Sequence, residues 1–205
     1  MKVKKLMNKL YLAEFTSKKT LTSTFVRFEE YYENPKFRGK IFSLDDFKIW
    51  YKDIFGKFDY FRKWSGFNIP SKVLKPFYNG KFNPLSKNEK EFLRRFRRIK
   101  RKSYIIGTYK KTQKENLKHE LAHAMFYLYP SYRKEVLKCF KKYKILPIEK
   151  ALIKNGYSKK VLRDEVNSYV LDNLALLKLK KPRELKEFKK ELEEIFEKYH
   201  NKSIS

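Results

Sequence analysis

The sequence predicts a mainly α-helical protein with a small β element, an α+β fold. Three observations carry that prediction. Apolar residues recur at three- and four-residue spacing through most of the 205 residues, the period of a helix with one buried face. Serine or threonine is followed three residues later by an acid at Ser43/Asp46, Ser86/Glu89 and Thr112/Glu115, the pattern of a capping box at a helix start. One run, Ser103 to Tyr109, is β-branched and aromatic and is the best strand in the chain.

Residues 1–33 are expected to form two helical stretches. Leu10, Phe15, Leu21, Phe25, Phe28 and Tyr31 supply the apolar spacing, and Pro35 closes the segment. Ser43 opens a helix over about 44–55 with Phe47, Trp50, Tyr51 and Phe55 on its apolar side, and Gly56 stops it. In residues 57–85 the rings of Phe58, Tyr60, Phe61, Trp64 and Phe67 precede Pro70, Pro76, Asn79-Gly80 and Pro84. Such a stretch reads as the aromatic core of a loop-rich subdomain. Ser86 opens a helix to about Lys102, whose later half, Arg94 to Lys102, is the densest basic run. A solvated basic face with Phe92, Phe96 and Ile99 turned inward explains it.

Thr112 starts the next helix, which buries Leu117, Leu121, Ala124, Met125 and Leu128 and ends before Pro130. Short helices over 131–143 and 147–154 follow. Gly156 breaks the run, Ser158 caps a helix to about Lys178, and Pro182 opens a last one to about Lys198. The expected division is 1–85, a helical aromatic-rich extension, and 86–205, the domain that carries the chemistry.

Composition excludes several classes. One cysteine, Cys139, excludes an internal disulfide framework and cannot by itself build a thiolate metal site. No run of about 18 apolar residues is present, so no membrane span is expected. Met1 to Met7 is basic but no apolar stretch follows it, so no signal peptide is expected and the cytoplasm is the expected location. Net charge is +28, from 51 Lys and Arg against 23 Asp and Glu. A polyanion such as nucleic acid or an anionic membrane surface would answer that charge. The basic residues are spread along the chain, and Lys, Asn, Ile, Phe and Tyr are abundant throughout. Nucleic acid is therefore expected only as a secondary partner.

Two of the three histidines lie in His119-Glu120-Leu121-Ala122-His123, an HExxH sequence. On a helix the two imidazoles sit one above the other and can hold one zinc ion, with Glu120 placed beside a water there. A catalytic site needs a third protein ligand. Glu165 shares the inward side of its helix with Leu162, Val166, Tyr169, Val170 and Leu177, and a carboxylate on an apolar face needs a partner. Arginine or lysine is the alternative partner. Asp164, pointing about 100° away, His200 and Cys139 are the weaker ligand candidates.

HELAH, the strand before it and the helix bearing Glu165 together resemble a gluzincin metallopeptidase, most of all the small minigluzincins. The resemblance covers about residues 86–178. It implies a zincin-like core with His119, His123 and Glu165 on zinc, Glu120 as general base, a peptide or protein substrate, and an enzyme that can be latent. The strand would form the cleft rim, with Ile105, Ile106 and Gly107 binding an extended substrate by strand addition and Gly107 admitting its backbone closely. Two features depart from the family pattern. There are 41 residues between His123 and Glu165, which calls for a helical insertion. Where some gluzincins carry aspartate four residues after the ligand, this chain has Tyr169, with Asp172 beyond it. Tyr157 and Tyr169 are oxyanion candidates, and Asp172 is the leading acceptor for a liganding histidine. The alternative function is a basic nucleic-acid-associated protein with a structural or regulatory zinc.

Overall fold

In a computed structural model the described residues are 1–99, 102–109, 113–179 and 183–204. Thr112 and Pro182, two of the expected helix starts, lie outside them, as do Lys100 and Arg101 of the basic run. The chain forms two compact units, Met1–Lys114 and Glu115–Ser205. It is mainly helical, with one small sheet, an α+β fold.

The first unit opens with a hairpin, β1 (Lys2–Met7) and β2 (Leu10–Phe15), where helix was expected. Asn8-Lys9 joins the strands, and Lys9 takes a left-handed φ of 62°, the conformation that tight hairpin turns need. Helix α1 (Lys18–Glu33) follows, capped by the Ser17 hydroxyl, which accepts from the Thr20 N–H. Helix α2 (Leu44–Phe55) has the expected Ser43/Asp46 capping box and ends at Gly56, φ 75°. A single turn, α3 (Tyr60–Lys63), leads to β3 (Gly66–Pro70), an unexpected strand. A 3₁₀ turn (Ser71–Leu74), α4 (Lys75–Tyr78) and α5 (Lys87–Phe96) precede β4 (Tyr104–Tyr109). The sheet order is β1-β2-β4-β3. Strand β4 is parallel to β2, Leu10 opposite Tyr104 and Phe15 opposite Tyr109, and antiparallel to β3, Gly66 opposite Thr108.

Phenylalanines fill the space between the sheet and helices α1 and α5. Phe25 stacks on Phe67 at 5.3 Å and meets Phe15, Phe28 and Phe92 edge-on. Phe77 and Phe82 stack at 3.8 Å. Of the rings read as core in residues 57–85, Tyr60 and Phe67 are buried and Phe58 and Phe61 partly so, whereas Trp64 is exposed. Arg27 and Glu89 are tied inside this unit. The guanidinium donates to both carboxylate oxygens at 2.7 Å and to the carbonyls of Phe82 and Pro84. The same carboxylate accepts the Ser86 N–H, closing the α5 capping box. This binding of α5 to α1, with β4 central in the sheet, is why the division falls at 114/115 and not at 85/86.

Helix α5 stops at Phe96, short of the expected Lys102, with Phe92 and Phe96 buried. Arg94 and Arg95 lie outside, both held by Glu91, whose carboxyl they pull down to about 2.

Helix α6 (Gln113–Leu128) enters the second unit at Glu115, and α7 (Pro130–Phe140), α8 (Leu146–Lys154), α9 (Leu162–Ser168) and α10 (Arg183–Ile204) complete it. Pro130 is the first residue of α7, where its missing N–H costs nothing. Helices α7 and α8 lie between His123 and Glu165. The helix expected from Ser158 begins at Leu162, then widens into a π-helical turn, Tyr169–Asn173, and a 3₁₀ turn, Leu174–Leu177. Helix α10 packs on α7 through Phe188, Leu192 and Phe196. Its charged side is tied by Lys142 to Glu191 and Lys198 to Glu135, and it runs past the expected end at Lys198.

Candidate metal centre

The centre lies within the second unit and is built by α6 and α9. The single-turn separation of His119 and His123 brings their Nε2 atoms to 3.2 Å. Two nitrogens bound tetrahedrally at 2.0–2.1 Å lie about 3.3 Å apart, so this separation already matches a shared ion. Glu165 Oε2 is 3.9 Å from the His123 Nε2. The ligand atoms of His119, His123 and Glu165 all lie within 4.8 Å of one another, and this group could hold a metal ion. His123, Glu165 and Glu120 are buried. Two imidazoles and a carboxylate are also the donor set that suits a divalent ion such as zinc.

The second face of His123 is occupied by Asp164, whose Oδ1 lies 3.0 Å from the ring Nδ1. A wheel that sets Asp164 about 100° from Glu165 therefore does not remove it from the site. An imidazole has two nitrogens on different edges, and neighbouring residues of one helix can address both. Asp164, and not Asp172, is the carboxylate paired with the Nδ1 side of His123. The field around Asp172 is that of Lys118 and Lys189, and burial raises its carboxyl.

Burial pushes His119 down to about 3, reinforced by His123, with the Ser168 carbonyl acting the other way. For His123 burial also lowers the pKa, but Asp164, Glu165 and Glu120 outweigh it and lift the pKa well above the ordinary value. In a chain of net charge +28, three carboxylates converge on this pair of rings, which favours a cation between them.

Tyr169 stands edge-on to the His119 ring, centroids 5.1 Å apart. Its hydroxyl pairs with that of Tyr157 at 2.9 Å. Burial raises the Tyr169 pKa, and Glu165 and Glu120 raise it further. Both tyrosines named from the sequence are thus joined to the site, Tyr157 through Tyr169. Cys139 is buried, its thiol pushed up to about 12 by burial and by Glu191, and His200 stacks on Phe196. Neither belongs to the group.

Asn167 was not singled out from the sequence. Its side chain is fully buried, donates to the Ala122 carbonyl at 3.3 Å and accepts from the Tyr132 hydroxyl at 2.9 Å. It fastens α9 to the turn of α6 between the two histidines, two residues from Glu165. The only sequence signal was a polar residue on the apolar side of α9. Asn167→Leu strands both partners and is expected to cost about 1–3 kcal/mol, read from thermal unfolding.

The substrate strand needs correction. Strand β4 is paired with β2 from Tyr104 to Tyr109 and with β3 from Tyr104 to Thr108. Ile105 and Ile106 are fully buried. No edge remains for strand addition at Ile105, Ile106 or Gly107. A Cβ on Gly107 would meet the Phe25 ring at 2.5 Å, so the glycine admits a phenylalanine of the core, not a substrate backbone. Gly107→Val is expected to destabilise the first unit by about 1–3 kcal/mol through overpacking, measurable by urea unfolding.

No family model matches the chain, and the comparisons with curated proteins and with solved structures gave no match.

Proposed function

We propose that the chain is a zinc-dependent metallopeptidase of gluzincin type, with α6 as its active-site helix and α9 as its glutamate helix. One observation carries the reading. The Nε2 atoms of His119 and His123 lie 3.2 Å apart, and the ligand atoms of these two and of Glu165, from two helices, lie within 4.8 Å of one another, with Glu120 next to the first of them in the chain. When bound there, zinc supplies Lewis acidity, lowering the pKa of a water to about 7 and polarising a carbonyl.

The chain's own residues do the rest. Glu120 takes the proton of the attacking water and delivers it to the leaving amine. Asp164 holds the His123 ring with Nε2 directed at Glu165 and the metal position. Tyr169, with its hydroxyl kept neutral by burial and by the neighbouring carboxylates, can donate a hydrogen bond to a developing oxyanion. Tyr157, paired to it, sets the direction of that hydroxyl.

The test is metal content alongside ligand substitution. One zinc per purified chain is expected. Asp164→Asn is expected to weaken zinc binding by roughly 10- to 100-fold, and His123→Ala to abolish stoichiometric zinc. A chain that takes up no zinc from a buffered solution would end this reading.

A further inference from the structure

The end of α2 and the turn of α3 form a corner of the first unit that carries exposed apolar side chains. Ile54, Phe55 and Trp64 are 60%, 51% and 48% exposed. Ile54 adjoins Phe55 in the chain, Phe55 is linked to Trp64 through two rings, Tyr51 (4.5 Å from Phe55 and 5.7 Å from Tyr60) and Tyr60 (6.4 Å from Trp64), and Lys63, next to Trp64, reaches over the Phe55 ring. Trp50 meets Phe55 edge-on at 6.4 Å. Both tryptophans of the chain are therefore here. Residues 52–64 carry four bases, Lys52, Lys57, Arg62 and Lys63, against two acids, Asp53 and Asp59, and all four bases are exposed. The Lys18 ammonium donates to the Arg62 carbonyl and fixes the corner to α1.

We propose that this corner docks on anionic membrane surfaces, with Ile54, Phe55 and Trp64 entering the headgroup boundary and Lys52, Lys57 and Arg62 on lipid phosphate and carboxylate, Lys63 being paired with Asp59. Exposed large apolar side chains grouped on one projection mark an interaction site. Tryptophan with lysine around it is the composition that settles at a bilayer interface. The charge of the whole chain, +28, is complementary to an anionic leaflet.

Single-stranded nucleic acid answers the same charge, but it needs free ring faces. The Lys63 ammonium lies over the Phe55 ring at 5.0 Å and over the Tyr51 ring at 5.4 Å, so a face of each is taken. Ile54, the most exposed of the three, cannot stack on a base and gains by leaving water for lipid. Among the described residues no helix is long and apolar enough to cross a membrane, so the contact is a docking and not a span.

The test uses the full chain with vesicles of phosphatidylserine and phosphatidylcholine in equal parts, with phosphatidylcholine alone, and with a single-stranded oligonucleotide. The tryptophan emission reports on the corner directly. A blue shift and co-sedimentation with the anionic vesicles are expected, and neither with phosphatidylcholine. The Ile54→Ser/Trp64→Ser variant leaves the Phe55–Tyr51 contact and Trp50 in place, and is expected to bind roughly tenfold or more weakly with unchanged melting. Ile54→Ser alone, which removes no ring contact, repeats the measurement should the double variant melt early. Three results each overturn the proposal: no shift with anionic vesicles, equal binding by the variants, or oligonucleotide that quenches the emission and displaces the vesicles.

Discussion

A Glu120→Gln chain is expected to retain its zinc and to lose peptide hydrolysis by roughly 10²- to 10⁴-fold, the usual contribution of a positioned general base. Glutamine has the volume of glutamate, so the buried site around residue 120 keeps its packing. It cannot accept a proton at neutral pH. The candidate ligands, His119, His123 and Glu165, are untouched. Zinc content by elemental analysis and cleavage of an unstructured protein followed by mass spectrometry give the two readouts. Full hydrolysis in the variant would remove Glu120 from the chemistry, whereas loss of zinc along with activity would show it to be part of the metal site itself.

Arg27→Ala is expected to cost the first unit about 3–5 kcal/mol, the loss seen when one partner of a buried ion pair is removed. Arg27 and Glu89 are 5% and 2% exposed. Without the guanidinium, the Glu89 carboxylate keeps only its capping contact with Ser86, and the carbonyls of Phe82 and Pro84 each lose a donor. The ring of Phe82 also loses the cation 5.6 Å from its centre. Arg27→Met with Glu89→Gln is expected to be milder than Arg27→Ala, because no charge is stranded. Urea unfolding followed by tryptophan emission measures both, since Trp50 and Trp64 lie in this unit. A loss below about 1 kcal/mol for Arg27→Ala would place the pair in the class of surface ion pairs.

The helices with strong local signals were legible in the sequence. Ser43/Asp46 and Ser86/Glu89 cap as expected, because a capping box is satisfied by residues three apart and needs nothing distant. The first hairpin was not legible. Its turn is Asn-Lys, not Asn-Gly, and β2 is buried on both faces from Leu12 to Phe15, so alternation is absent. Strand β3 is five residues long and ends at Pro70, and it is a strand through its pairing with β4, a partner nearly forty positions along the chain. The convergence of His119, His123 and Glu165 was readable because each lies on the helix face that its apolar neighbours bury. Asp164 was not, since it depends on which edge of an imidazole faces which residue. Asn167 was not, since its partners Ala122 and Tyr132 come from other helices.

The π-helical turn Tyr169–Asn173 amounts to one residue more than an α-helix would use there. Deleting one residue from it would restore ordinary winding and leave the flanking segments close to their present directions. Glu165, upstream, would keep its station. The turn therefore acts as a slack link between the metal-facing segment and the chain that continues to α10. A one-residue change of length within the turn can be absorbed there without moving Asp164 or Glu165 from the histidines.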